Sequence, residues 1–295
     1  MDVNELHLSS YERHHRIKRT AALTLRSYRE TLLQLAAHHP GADITALTRA
    51  QIEDFLLAAI ESRNAAATVH RKYRNLRAFF NWVVDEELLD RSPMARIPEP
   101  TVPDRPVAVV PDDQIKALLK ACGGTAFADW RDAAIIRLWC EAGSPRVSEM
   151  AGVPLDALDM RRDQVTLHGK GDKIRTIPFG AKTGQAMVRY LYARAKHRDI
   201  NLPALWLSVR RGALSPSGAY QMLERRCQEA GIEHIHPHQL RHTAAHIWKS
   251  NGGSDGDAMA LFGWESAAMP QHYGKSAEVE RAQRAARRTS QADRL

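Results

Sequence analysis

Apolar side chains recur at helical spacing through most of the chain. Leu25, Tyr28, Leu32 and Leu35 share one face, and Thr24 just ahead of them is a candidate N-cap. Thr48 and Gln51 carry the pattern of a capping box before Ile52, Phe55 and Leu56. Residues 68–84 set Val69, Tyr73, Leu76, Phe80 and Val83 on one face of a longer helix, with His70, Arg74, Arg77 and Asn81 on another. Prolines at 93, 98, 100, 103, 106 and 111 then forbid a continuous helix and keep the backbone extended. The pattern predicts a helical domain over 1–98, a proline-rich linker over 99–108 and a second domain over 109–295.

The second domain restarts with Pro111 at a helix N1 position, followed by DDQIKALLKAC and a hydrophobic helix over 130–141. The period changes from 3.6 to 2 over 164–178, where QVTLHGKGDKIRTIP reads as two strands around a Gly-Lys-Gly-Asp turn. Ser215, Pro216 and Gly231 hold the favoured cap, first-turn and C′ positions of a further helix. Helical patterns follow at 238–249, 256–262 and, as a basic tail, 277–288. The expected fold is mainly α with a small antiparallel β-sheet.

Composition narrows the partner. The 295 residues carry a formal charge of +8, nearly all of it beyond residue 100. That asymmetry suits an anionic partner, and nucleic acid leads because the 68–84 helix pairs a core face with a basic one. A solvated basic face explains the same pattern equally well when that helix is taken alone. Cys122, Cys140 and Cys227 show neither metal-ligand spacing nor a disulfide framework. No apolar run approaches the roughly 18 residues of a membrane span, and Asp2 and Glu5 interrupt any signal-like start. A cytoplasmic protein with no membrane partner is expected.

Several polar residues stand where bland ones would suffice. Arg146 follows a Gly-Ser-Pro break after a hydrophobic helix, and Lys170 occupies the hairpin tip. His238 and Arg241 lie three apart on one helical face, with His242 and His246 on the next. Trp264 and Tyr273 come later. Around a phosphodiester this set makes chemical sense. Guanidinium forks stabilise the phosphoryl transition state, a histidine takes or shares a hydroxyl proton, and a lysine protonates a leaving oxygen. A tyrosine, with its pKa of about 10, needs such help to act as nucleophile. No Walker A pattern and no acidic cluster with metal-site spacing is present, so neither a nucleotide nor a metal cofactor is expected.

Taken in order, these motifs resemble those of the tyrosine recombinases of the phage-integrase family, closest in organisation to Xer-like and integron-like members. Arg146 with Val-Ser-Glu is similar to the family's first catalytic arginine and its Arg-x-Ser-Glu motif. Lys170 is similar to the β-hairpin lysine, and His238-Gln-Leu-Arg241-His242 to the His-x-x-Arg-His box. Trp264 takes a position held by His or Trp, and Tyr273 matches the nucleophile. The resemblance implies a helical core-binding domain and a catalytic domain clamped on duplex DNA. It also implies a 3′-phosphotyrosyl intermediate, no metal or ATP, inverted half-sites and a homotetramer on paired sites, coupled by the terminal helix. DNA contacts are expected from His70, Arg71, Lys72, Arg74 and Arg77 in the first domain and from Lys173 and Arg175 on the hairpin.

The chain departs from the family pattern at Pro145, directly before the first arginine, and at Pro270, three residues before Tyr273. Neither removes a catalytic group. Plainer roles stand beside the functional ones: Arg146 pairing with Glu149 or Glu141, His238 capping its own helix, Lys170 solvated, and Trp264 packing in the core. Glu149 is expected to orient Arg146, and His242 and His246 to serve packing or hydrogen bonding. A DNA-binding protein without cleavage, or a type IB topoisomerase-like enzyme, would share much of this chemistry.

Overall fold

The computed structural model describes residues 3–103, 108–169, 171, 173–266, 268–270, 282–283 and 285–289. Its contacts divide the chain into two units, Met1–Arg105 and Pro106–Leu295. The first contains helices α1 (Val3–Ile17), α2 (Ala22–His38), α3 (Arg49–Glu61) and α4 (Ala66–Asp85). The expected face of α4 is buried in a core shared with Leu8, Tyr11, Leu32, Leu35 and Phe55. Asn75 is buried on the same helix because its amide donates to Ser27 and to Thr31 Oγ1 on α2, the latter at 2.8 Å.

Two local expectations shift. Thr24 is not an N-cap: α2 begins at Ala22 after a reversal in which Arg19 takes a φ of 52°, so Thr24 falls inside the first turn. The Thr48–Gln51 capping box forms as expected. Beyond α4, the Tyr73 hydroxyl donates to the Ile97 carbonyl at 2.8 Å, and Glu99 pairs with His70 at 2.7 Å. Glu99, expected in the linker, is therefore held on the helix. Residues 104–107 lie outside the described residues.

The second unit runs α5 (Asp112–Lys120), α6 (Phe127–Trp139), α7 (Val147–Ala151), β1 (Leu158–Asp159), β2 (Gln164–His168), β3 (Ile174–Pro178), α8 (Ala181–Arg194), α9 (Pro216–Ala230), α10 (Pro237–Ser250) and α11 (Asp255–Phe262). Pro111 is the N-cap of α5 rather than its first residue, which moves Asp112 and Asp113 into the positive first turn. The strands form an antiparallel sheet in the order β1-β2-β3, with Gln164 opposite Pro178 and His168 opposite Ile174. Leu158–Asp159 adds a strand that periodicity did not foretell. A mainly α protein with a small antiparallel sheet is what the chain builds. Ser215, Pro216 and left-handed Gly231 delimit α9 as read from the sequence.

The core of this unit contains a fully buried carboxylate. Asp132 on α6 accepts from Arg131 Nη2 at 2.7 Å, Arg226 Nε at 2.9 Å and Arg225 Nη2 at 3.1 Å. Arg226 continues to Asp129 and to the Ala121 carbonyl, so one ionic network ties the end of α5 to α6 and α9. Removing the shared anion takes from the buried Arg131 guanidinium the carboxylate it forks onto and leaves Arg226 to Asp129 and Glu229. Asp132→Ala should therefore destabilise the second unit by about 3–5 kcal/mol. Urea unfolding followed by tryptophan fluorescence measures it, and a loss below about 1 kcal/mol would contradict this account.

Candidate active site

Gly143 turns the chain from α6 toward α7 with a φ of 85°. A Cβ there would lie 2.5 Å from Ile177 Cγ2 and 2.8 Å from the Leu261 carbonyl, so only glycine lets this turn rest on β3 and α11. Ser144 and Pro145 are buried after it, and Arg146 opens α7. The missing amide of Pro145 leaves the anchoring of Arg146 intact. The Arg146 backbone N–H donates to Glu149 Oε2 at 2.7 Å, Nη1 to Glu149 Oε1 at 2.8 Å and Nη2 to the Gly263 carbonyl at 3.3 Å.

On α10, Gln239 Oε1 accepts from the His236 backbone N–H at 2.7 Å, so His236 is the N-cap and His238 lies exposed one residue inside the helix. Arg241, one turn further on, is buried. Its guanidinium donates to the Ser144 and Phe262 carbonyls and lies 5.3 Å from the centre of the Phe262 ring.

Arg175 differs from expectation. Rather than facing outward to DNA, it points inward from β3 and forks onto Glu149, with Nη1 to Oε1 at 3.0 Å and Nη2 to Oε2 at 2.7 Å. Its Nε donates to the Leu261 carbonyl at 2.9 Å. The strand alternation explains this, because Arg175 shares a face with buried Ile177. Period-2 patterning was the available signal. Three arginines from separate elements thus donate to three consecutive carbonyls: Arg175 to Leu261, Arg241 to Phe262 and Arg146 to Gly263. These are the acceptors left over at the C-terminus of α11, where the helix dipole favours positive charge.

Glu149 is the anion within this group. Burial alone would raise its pKa, but the Arg175 fork and the Arg146 amide and guanidinium outweigh that and hold it at about 2. Trp264 follows directly, buried and stacked on Phe262 with ring centres 4.8 Å apart. His242 is buried on α10, and His246 Nε2 lies 3.2 Å from Ser250 Oγ. Lys173 pairs with Glu265 at 3.0 Å, both side chains exposed. Pro270 is buried in a helical turn over 268–270. Lys170 and Tyr273 lie outside the described residues, as does half of the 277–288 tail, of which 282–283 and 285–288 are helical and exposed.

In the first unit, Arg71, Arg74 and Arg77 are exposed and His70 and Lys72 half-buried. Arg77 shares Glu99 with His70, and the Lys72 ammonium sits 5.2 Å from the centre of the Phe55 ring. Arg71 and Arg74 line a groove of about 490 Å³ with Thr24, Ser27 and Tyr28. The donor atoms of His38, His39 and Asp54 lie within 4.8 Å of one another. His39 Nε2 is engaged at 3.0 Å with the Gln51 carbonyl, an acceptor only, so that nitrogen donates a proton rather than a lone pair. Among the described residues, no helix is long and apolar enough to cross a membrane.

Comparison with known proteins agrees with this architecture. Residues 108–280 match the phage integrase family, and residues 8–90 match the phage integrase N-terminal SAM-like domain. The tyrosine recombinase XerC of Corynebacterium efficiens is 32% identical over 255 residues, covering 85% of this chain and 80% of the relative. The tyrosine recombinase XerD of Mycobacterium leprae is 30% identical over 274 residues, covering 86% of each. Among solved structures, the Tn1549 transposon integrase in complex with transposon right end DNA superposes with a TM-score of 0.78 at 17% identity, covering 98% of this chain and 99% of that one. A lambda integrase dimer bound to a core site gives 0.73 at 17% identity, covering 92% and 94%. The chain belongs to the phage integrase family of tyrosine site-specific recombinases.

Glu149 links the site to acid stability. Its pKa falls from 4.5 to about 2 on folding, so its contribution is complete above pH 4.5 and is lost as the pH drops toward about 2. Linkage puts that contribution at up to about 3 kcal/mol. The stability gap between wild type and Glu149→Gln, from urea unfolding, should stay constant between neutrality and about pH 5 and close below it. A gap unchanged down to about pH 3 would count against the depressed carboxylate.

Proposed function

We propose that this recombinase cuts and rejoins duplex DNA through a 3′-phosphotyrosyl link formed by Tyr273. The Tyr273 oxygen bonds to the scissile phosphorus and the bond to the 5′-oxygen breaks. Lys170 supplies the proton that makes the leaving group a hydroxyl, and His238 takes or shares the proton from tyrosine. Arg146 and Arg241 balance the charge that builds on the non-bridging oxygens, and Trp264 supports the segment leading to Tyr273. The phosphodiester energy stays in the covalent link, so religation by a partner strand's 5′-hydroxyl needs no nucleotide.

The observation that carries this reading is the meeting of Arg146 and Arg241, distant in sequence, on the Phe262–Gly263 carbonyls immediately before Trp264. The XerC and XerD relatives bear the name tyrosine recombinase, and the related integrase structures contain DNA; both support DNA as the substrate. Arg71 and Arg74, with Arg77 and Lys173, would grip phosphates on inverted half-sites. Four protomers would assemble on paired sites with the 277–288 tail coupling neighbours, in the cytoplasm where the DNA lies.

With a suicide DNA substrate, wild type should form a 3′-linked protein–DNA adduct whether or not chelator is present, and Tyr273→Phe should bind DNA without forming one. An undiminished adduct in that variant would remove Tyr273 from the nucleophile's role. Affinity should fall steeply with salt through counterion release. Arg71→Ala with Arg74→Ala should lower the affinity and flatten the salt slope by about one for each phosphate no longer neutralised. Sedimentation of the same titration on single and paired sites reads the assembly. A salt-independent affinity, or no complex larger than two protomers on a single site when paired sites are supplied, would contradict the respective part of this reading.

A further inference from the structure

Arg146 faces a difficulty that the positions of the motifs do not reveal. Its nearest partner is a buried carboxylate, and a lone Arg146–Glu149 pair would present no net charge to a phosphate. We propose that Arg175 is a positioning residue for Arg146: it takes up the charge of Glu149 and locks β3 onto α7 and the end of α11, so that the guanidinium of Arg146 meets substrate with its charge uncancelled. This rests on the reading of Arg146 as a phosphate-binding residue.

The geometry supports each part. Arg175 and Glu149 have side chains 9% and 3% exposed, whereas that of Arg146 is 40% exposed, so the group carries one net positive charge and the arginine open to solvent displays it. Arg175 meets both carboxylate oxygens, while the Arg146 guanidinium uses only Nη1 on Oε1, the other oxygen going to its own backbone N–H. Glu149 therefore orients Arg146 without drawing it into a closed bidentate pair. Arg175 Nε also holds the Leu261 carbonyl, and a Cβ on Gly263 would sit 3.2 Å from Arg175 Nη1, so the chain entering Trp264 packs directly on this guanidinium. Arg175 lies five residues after Lys170, so the same side chain fixes the strand that follows the lysine against Arg146.

The test separates charge from packing. Arg175→Met keeps much of the stem and removes the charge. Single-turnover cleavage of a suicide substrate at saturating DNA should slow by about 10- to 100-fold, as is usual when an outer partner of a working residue is lost, while half-site affinity stays within about twofold. Adding Glu149→Gln should then restore cleavage to within a few-fold of Glu149→Gln alone, because the uncompensated anion is gone; a packing role would show no such rescue. A rate in Arg175→Met within about twofold of wild type, or a double variant as slow as the single one, overturns the proposal. If Arg175→Met does not fold, Arg175→Lys serves in the same pair of measurements, with a smaller loss that Glu149→Gln relieves; no loss, or no relief, overturns it. Arg146→Ala is run alongside. Normal cleavage there would overturn the reading of the site itself, whereas loss of cleavage leaves Arg175 to be judged on its own variants.

Discussion

Everything at this site depends on how a protein holds several like charges close together within a fold. Three guanidinium groups converge from α7, β3 and α10, and their mutual repulsion has to be offset by acceptors fixed in place. Among the described residues, Glu149 supplies the full negative charge that Arg146 and Arg175 share. The three carbonyls at the end of α11 supply the rest as oriented dipoles that a helix terminus leaves unsatisfied. Such dipoles cost no desolvated anion and do not titrate. The arrangement can therefore keep a positive charge open to solvent at Arg146 while each arginine stays hydrogen-bonded inside the fold.

The backbone makes that convergence possible. Gly143 lets the turn before Arg146 lie against both Ile177 and Leu261, and left-handed Gly263 ends α11 where Trp264 stacks back on Phe262. Away from the site, Asp132 plays a related part for α6 and α9, gathering guanidinium groups around a buried carboxylate. Among the described residues of the second unit, Glu149 and Asp132 are thus each shared among arginines from more than one element.

Much of this is legible in the sequence, and the remainder has a physical reason for being hidden. The ends of α9, the buried face of α4 and the hairpin strands follow from caps, period and turn residues, which act locally, while the sequence leaves Arg146 a choice of Glu149 or Glu141 that the fold resolves. Thr24 misleads because a β-hydroxyl favours an N-cap without requiring one, and the reversal at Arg19 has already started α2. Arg175 invites assignment to DNA because it is a basic residue beside a hairpin tip; the strand alternation that turns it inward is present but outweighed by its charge. The acceptors that Ser144 and Phe262 offer Arg241 cannot be read at all. They are main-chain carbonyls, which carry no side-chain signature, and they come from segments brought together only by the fold.

The division of labour along α4 has a consequence for how such an enzyme diversifies. Val69, Tyr73, Leu76, Phe80 and Val83 are committed to the core of the first unit, while Arg71, Arg74, Arg77 and Asn81 stand on the exposed side of the same helix. Exchanging residues on the outer side leaves the packing that maintains the helix untouched, so changes in the chemistry of this surface need not compete with stability. Sequence change can run through that surface one position at a time, each intermediate remaining a folded protein, and a library built on those positions would inherit the same tolerance.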